Sequence, residues 1–310
     1  MKTRTITALL FSTLLLSTAC KDDNDNNTPP QNNSPETEGI GYVETNDTPS
    51  SIYNAIITIL NNNNEIGIVA EVDHALNAEN NGLALDFTRT IYFGNPNLGT
   101  PVMQSNIQAG LDLPQRITVY TDEDGDTVVT YNSIDYIINR HAIGNVETTD
   151  MIKNALANIV NTATEKDVTI NVSNAEQDQG IISLASDNDF NSTYSSIIDK
   201  LNSIDNITIM AELDHQANAQ SVDFNLMPAK LIIFGNPILG TPLMVESKTA
   251  ALDLPQKMLV YENNNGEVFI IYNDPFYMAD RHDIDNNNET LTTISNALQN
   301  IANAGASPVD

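Results

Sequence analysis

The chain has no tryptophan, a single cysteine, and 13 basic residues against 41 acidic ones. Each shortage excludes something. One cysteine cannot form a disulfide within the chain, so no disulfide framework holds the fold together. A formal net charge of −28 repels phosphate backbones and anionic headgroups, which argues against nucleic acid or a bare membrane surface as partner. With aromatics at 6% and no tryptophan, there is little from which to build a stacking platform for sugars. Also missing are an activated-serine motif, a phosphate-binding glycine loop, a cysteine nucleophile and zinc-ligand spacing, and no cofactor is expected. The apolar run Ala8–Leu16 falls short of the roughly 20 residues that a bilayer span needs.

That run is informative for another reason. Lys2 and Arg4 precede it, and Ser17, Thr18 and Ala19 lead into Cys20, the pattern of a signal peptide over residues 1–20. Small residues before a lone cysteine resemble a bacterial lipobox, although Ser17 stands where that pattern prefers an aliphatic side chain. The resemblance implies lipidation of Cys20, hence a lipid anchor and a place in the cell envelope. Lys21-Asp22-Asp23-Asn24-Asp25 is similar to the acidic tag of surface-exposed lipoproteins of Bacteroidota, which implies the outer membrane. Residues 21–37 are rich in Asp, Asn, Pro, Ser and Thr and read as a disordered tether. Losing Lys2 and Arg4 with the leader takes the charge to about −30.

Residues 39–144 are written out again at 180–285 without a gap. His74 returns as His215, Phe93 as Phe234, Gly125 as Gly266 and His141 as His282, each pair 141 positions apart. The chain is a tandem duplication, with one repeat domain expected over 38–165 and a second over 166–310. Each reads as strand, helix, then strands. Gly39–Thr45 opens the first, Asp47-Thr48-Pro49-Ser50 starts a helix whose Tyr53, Ile56, Ile57 and Leu60 share a face, and Ile66–Val72, Arg89–Phe93 and Arg116–Tyr120 follow as strands. Asp124-Gly125 and Asn265-Gly266 close hairpins. A helix ends each copy, at Met151–Val160 and Ile294–Ala302. The fold class is therefore α+β: two similar two-layer domains, each an antiparallel sheet with helices on one side. Asp167–Val172 reads as an extra strand or structured linker that lets the second domain turn back on the first, giving an intrachain pseudo-dimer.

The two copies share Asp-His at 73–74 and 214–215, and Phe-Gly-Asn-Pro-x-Leu-Gly-Thr-Pro-x-Met from Phe93 and from Phe234. They also share Leu-Asp-Leu-Pro-Gln at 111–115 and 252–256, Tyr-Asn at 131–132 and 272–273, and Arg-His at 140–141 and 281–282. This ordered set resembles the domain of unknown function 302 family, in tandem. The resemblance implies a compact α+β fold and no established activity.

Candidate ligand-binding residues are Asp73, His74, Phe93, Gly94, Asn95, Arg140 and His141 with their counterparts Asp214, His215, Phe234, Gly235, Asn236, Arg281 and His282. One reading of the Phe-Gly-Asn-Pro block is an anion or carboxylate pocket at the amides after Gly99 and Gly240; the plainer one is a tight turn into a short helix starting at Thr100-Pro101. Asp73 and Asp214 can cap helices that begin at the adjacent histidine, and Arg140-His141 and Arg281-His282 can close short helices. If the two imidazoles of a repeat converged, they would suit a metal or acid-base chemistry. Asp122–Asp126 only superficially suggests a calcium loop. The expected function is an envelope lipoprotein that binds a small ligand or a partner protein; the alternatives are a hydrolytic enzyme using the repeated histidines and a purely structural module with an apolar domain interface.

Overall fold

The structure is a computed structural model that describes residues 34–308. The signal peptide, Cys20 and the first part of the expected tether lie outside the described residues.

In the first repeat β1 (Ile40–Thr45) leads to α1 (Pro49–Asn61), β2 (Gly67–Asp73), α2 (His74–Glu79), β3 (Thr88–Gly94) and α3 (Pro96–Ser105). After a 3-10 turn at Ile107–Leu111 come β4 (Gln115–Thr121), β5 (Thr127–Asn132), α4 (Ile134–Arg140), α5 (Thr148–Thr164) and the two-residue β6 (Thr169–Ile170). The second repeat gives β7 (Ile181–Ser186), α6 (Phe190–Asn202), β8 (Thr208–Asp214), α7 (His215–Gln220), β9 (Ala229–Gly235) and α8 (Pro237–Glu246). A 3-10 turn at Lys248–Leu252, β10 (Gln256–Glu262), β11 (Val268–Asn273), α9 (Pro275–Arg281) and α10 (Asn288–Ala306) complete it. The sheets run β2-β3-β4-β5-β1-β6 and β7-β11-β10-β9-β8, antiparallel throughout.

Side chains alternate along these strands and so divide between two faces. On one face of the first sheet Ile91, Ile117, Val119 and Val129 share a core with Ile52, Ile56 and Leu60 of α1 and Ile152 and Leu156 of α5. In the second sheet Ile232, Met258, Val260 and Ile270 pack with Ile197 and Leu201 of α6 and with Leu298 and Ile301 of α10. Each such side chain, once fully buried, contributes about 1.5–3 kcal/mol. The other faces look toward one another. Leu231, Ile233, Leu259 and Ile271 of the second sheet join the first repeat's core, and Thr90 and Tyr92 of β3 donate hydrogen bonds to the carbonyls of Ala251 and Leu254. Arg116, Thr118 and Tyr120 alternate with Ile117 and Val119 along β4, a pattern that usually leaves the polar face in water, yet every one of them is buried because the second repeat covers that face.

Two expected boundaries move. Thr37 is buried against Thr249, and the Asn171 side-chain amide holds the carbonyls of Pro35 and Thr37, so packing begins inside the segment expected to be a tether up to residue 37. At the other end of the repeat, β6 pairs with β1, so the segment just after residue 165 adds to the first sheet rather than to the second repeat. The unpaired edge of β1 supplies the reason: its backbone groups take the next extended segment that reaches them.

Candidate ligand pockets and a buried ionic cluster

The shared Leu-Asp-Leu-Pro-Gln segment delivers Asp112 and Asp253 to the interface between the repeats, just before the cis bonds Leu113–Pro114 and Leu254–Pro255. Asp112 accepts from Arg140 Nη1 at 2.8 Å, His141 Nε2 at 2.8 Å and Arg116 Nη2 at 3.2 Å, with Lys257 Nζ at 3.5 Å. Asp253 accepts from Arg281 Nη1 at 2.7 Å, His282 Nε2 at 2.9 Å and Arg116 Nη2 at 2.8 Å. Arg116 also donates to the Leu252 carbonyl. Arg140 reaches Asn273 Oδ1 and the Gly180 carbonyl; Arg281 returns the pattern to Asn132 Oδ1 and the Glu38 carbonyl. This reciprocity, in which residue i meets j and j meets i, is that of an isologous interface.

Burial alone would raise both carboxyls, but Arg140 and Lys257 around Asp112, and Arg281, the His282 hydrogen bond and Arg116 around Asp253, hold them well below the usual range. Burial, reinforced by Arg116, lowers Lys257 to about 7 against the pull of the two carboxylates. Arg281 stacks over the Tyr136 ring at 3.9 Å, and the hydroxyls of Tyr136 and Tyr277 meet at 3.2 Å. The interface thus combines an ionic centre with the apolar contacts of Leu231, Ile233, Leu259 and Ile271.

The Phe-Gly-Asn-Pro blocks lie elsewhere, where β3 passes to α3 and β9 to α8. Asn95 is the N-cap, its Oδ1 accepting from Asn97 N at 2.9 Å, and its carbonyl accepts from the amides of Leu98 and Gly99 at 3.0 Å each. Asn236 acts alike. Hence α3 begins at Pro96, and Thr100 and Pro101 lie inside it, which corrects the expected start; an Asn-Pro pair satisfies the same cap-and-proline pattern earlier in the chain. The Gly99 and Gly240 amides bond to the Asn95 and Asn236 carbonyls, and Thr100 and Thr241, which follow them, lie inside α3 and α8.

Each block instead walls a cavity. The first, about 300 Å³, is lined by Val69, Phe93, Leu98, Met103, Gln115 and Leu156 of the first repeat, and by Leu213, His215 and Asn218 of the second. The second, about 70 Å³, is lined by Met210, Phe234, Leu239, Met244, Gln256 and Leu298, with His74 and Asn77 crossing from the first repeat. Both pockets are composite: the histidine of one repeat meets the Phe-Gly-Asn-Pro block of the other. His215 Nε2 lies 3.2 Å from the Gly110 carbonyl and His74 Nε2 lies 3.2 Å from Thr90 Oγ1. Burial drops both imidazoles to about 4, so they are neutral at physiological pH. Gln115 and Gln256, 7% and 8% exposed, each carry a buried Nε2 with no hydrogen-bond partner. An unmade bond of that kind costs about 1–3 kcal/mol.

The candidate residues of the sequence therefore divide between two places. His74, His215, Phe93, Phe234, Gly94, Gly235, Asn95 and Asn236 line the cavities. Arg140, His141, Arg281 and His282 belong to the ionic cluster. Asp73 and Asp214 cap α2 and α7 by accepting from Leu76 N and Ala217 N, and pair with Arg89 and Lys230. The two imidazoles of a repeat have separate partners, and among the described residues no group of three or more His, Cys, Asp or Glu could hold a metal. Asp112, Asp253, Arg116, Lys257, Gln115 and Gln256 were not among the candidates, although retention of Leu-Asp-Leu-Pro-Gln in both copies was a signal for four of them.

A duplicated α+β chain with crossed pockets and a shared ionic centre is the class defined by this fold. The chain belongs to the family described as Domain of unknown function DUF302, whose model matches residues 42–160 and again 182–301. Curated relatives include the fluoride-specific ion channel FluC 1 of Brucella suis biovar 1 (strain 1330), 36% identical over 107 residues, which are 34% of this chain and 42% of that protein. FluC 1 of Brucella abortus biovar 1 (strain 9-941) is 36% identical over the same share of this chain and 39% of its own length. The chain thus spans about two fifths of the curated relatives it matches. Among solved structures, an uncharacterized conserved protein DUF302 from Bacillus stearothermophilus aligns with a TM-score of 0.37 at 16% identity, over 41% of this chain and 98% of that one.

Proposed function

We propose that the protein is a binding protein of the cell envelope, held by a lipid on Cys20, that takes a small ligand in the composite cavities between its repeats. The observation that carries the reading is the first cavity: a largely apolar recess of about 300 Å³ whose wall includes Gln115, a side chain with a buried and unpartnered amide nitrogen. Concave, mostly apolar sites with a few placed polar groups are the usual form of small-molecule sites. The alternative of a hydrolase using the repeated histidines has less behind it, because His141 and His282 are committed to carboxylates and His74 and His215 are neutral and bonded. The reading is tested by denaturing the purified protein and identifying released small molecules by mass spectrometry, beside Ala155→Phe, which places a ring into the cavity from α5. A stoichiometric molecule in the parent that is absent from an equally folded variant is expected; the same molecule in both would overturn the site. For the anchor, Cys20→Ser should move the protein from the membrane fraction to the soluble one.

A further inference from the structure

We infer that the first-repeat cavity takes an uncharged aliphatic molecule ending in one hydrogen-bond acceptor, such as a carbonyl oxygen, and that Met210 keeps the second cavity from taking the same molecule. This rests on the reading of the cavities as binding sites and goes on to name the ligand class and the residue that selects between them.

Charge decides the first part. Among the described residues the ionisable side chains lining the first cavity are Glu65 and His215, with no lysine or arginine. Glu65 is exposed at the rim and accepts from Asn95 Nδ2 at 3.2 Å; His215 is bonded to Gly110 and held neutral by burial. A carboxylate brought into this recess would find no counter-charge, and burying an unpaired anion is far costlier than burying a neutral polar group. The walls are aliphatic, from Val69, Leu98, Leu156 and Leu213, so the body of the ligand must be apolar. Gln115 stands in the wall with its buried Nε2 unpartnered, and that atom is a donor, so a polar end that reaches it must accept a hydrogen bond.

Comparison of the repeats decides the second part. Phe93, Leu98, Met103 and Gln115 recur unchanged as Phe234, Leu239, Met244 and Gln256, so the walls and the donor are common to both cavities. Val69, by contrast, recurs as Met210. The Met210 Cε lies 3.6 Å from the point where a Cβ on Gly235 would stand, so this longer, unbranched side chain extends along the second cavity. The cavity that Met210 lines is the smaller one, about 70 Å³ against about 300 Å³.

The test titrates the intact chain with octanamide and with octanoate at neutral pH by calorimetry, in the parent and in Val69→Met, Met210→Val and Gln115→Leu. The fold already carries methionine at position 210, so Val69→Met asks nothing of the backbone that the second repeat does not already accept. Octanamide should bind the parent at one site, with octanoate about tenfold weaker or worse. Val69→Met should abolish that site, Met210→Val should add a second, and Gln115→Leu should weaken octanamide about tenfold, the equivalent of one net hydrogen bond. Octanoate binding as tightly as octanamide would overturn the ligand class and leave the site standing. Octanamide binding that ignores Val69→Met, or no binding by either probe, would overturn the inference together with the proposed function.

Discussion

Arg140 of the first repeat donates from Nη2 to Asn273 Oδ1 of the second at 2.9 Å, and the duplicated pair reverses the bond, Arg281 donating to Asn132 Oδ1 at 2.8 Å. The same arginines neutralise Asp112 and Asp253, and Arg116 bonds both carboxylates. Removing one carboxylate leaves fully buried guanidinium groups without their counter-charge. Asp253→Asn is expected to cost about 3–5 kcal/mol in urea unfolding. Because Arg116 is shared, Asp112→Asn and Asp253→Asn together should depart from additivity. A loss below about 1 kcal/mol for Asp253→Asn, the range of an exposed pair, would show that the cluster is not closed to water.

Lys257 stands where the first repeat has Arg116, and its ammonium is lowered to about 7, chiefly by burial, against an ordinary value of 10.5. Above pH 7 the folded state releases this proton while the unfolded state keeps it. Stability should therefore rise with pH from about 7 toward 9, at a slope approaching ~1.4 kcal/mol per pH unit. Lys257→Met should flatten that rise. Thermal melts of parent and variant across the window decide it, and parallel curves would place the Lys257 charge in contact with water.

Local chemistry made much of this molecule legible. Asp73 before His74 announced a capped helix, Asp124-Gly125 a hairpin, and the spacing of Tyr53, Ile56 and Leu60 the buried face of α1, all of which depend on residues a few positions apart. The pockets were not legible, because His74 meets Phe234 and His215 meets Phe93 only through the packing of one repeat on the other. Periodicity cannot say which copy supplies a wall. Nor does alternation along β4 distinguish a polar face in water from one under a second sheet, so Arg116 reads as a surface residue until its partners in the second repeat are seen.

His74 and His215 are each lowered to about 4, burial being the main cause, from an ordinary 6.5, and His282 is lowered in the same direction. As pH falls below 6.5 the unfolded imidazoles take up protons that the folded ones refuse, so the unfolded state gains. The histidines' own contribution should be level above about 6.5 and fall as pH drops toward 4.5, by up to ~3 kcal/mol per histidine if the whole span is crossed. The carboxyls of Asp112 and Asp253 are lowered, so their contribution is lost only at more acid pH, which separates the two effects. His74→Gln with His215→Gln should flatten the curve in the upper window and leave the acid limb in place. Retention of the full slope in the double variant would assign it to other groups.

Gly180 opens the second repeat at φ +64°, and a Cβ there would fall inside the Tyr277 ring. Its carbonyl accepts from Arg140 Nη2 and from the amide of Asp274, so the residue joins the linker, α9 and the ionic cluster at one point. An alanine would have to leave the left-handed region, displace Tyr277, or both, and neither motion is free while Arg140 holds the carbonyl. Gly180→Ala is expected to lose about 3 kcal/mol or more, through strain and overpacking together. Gly125→Ala supplies the control: its φ is +89°, but an added Cβ meets nothing within 4 Å, so only the backbone cost of about 1 kcal/mol remains. Chemical denaturation of the two variants separates the cases. Equal losses would mean that the Tyr277 ring yields freely and that the contact behind Gly180 does not fix the repeats against each other.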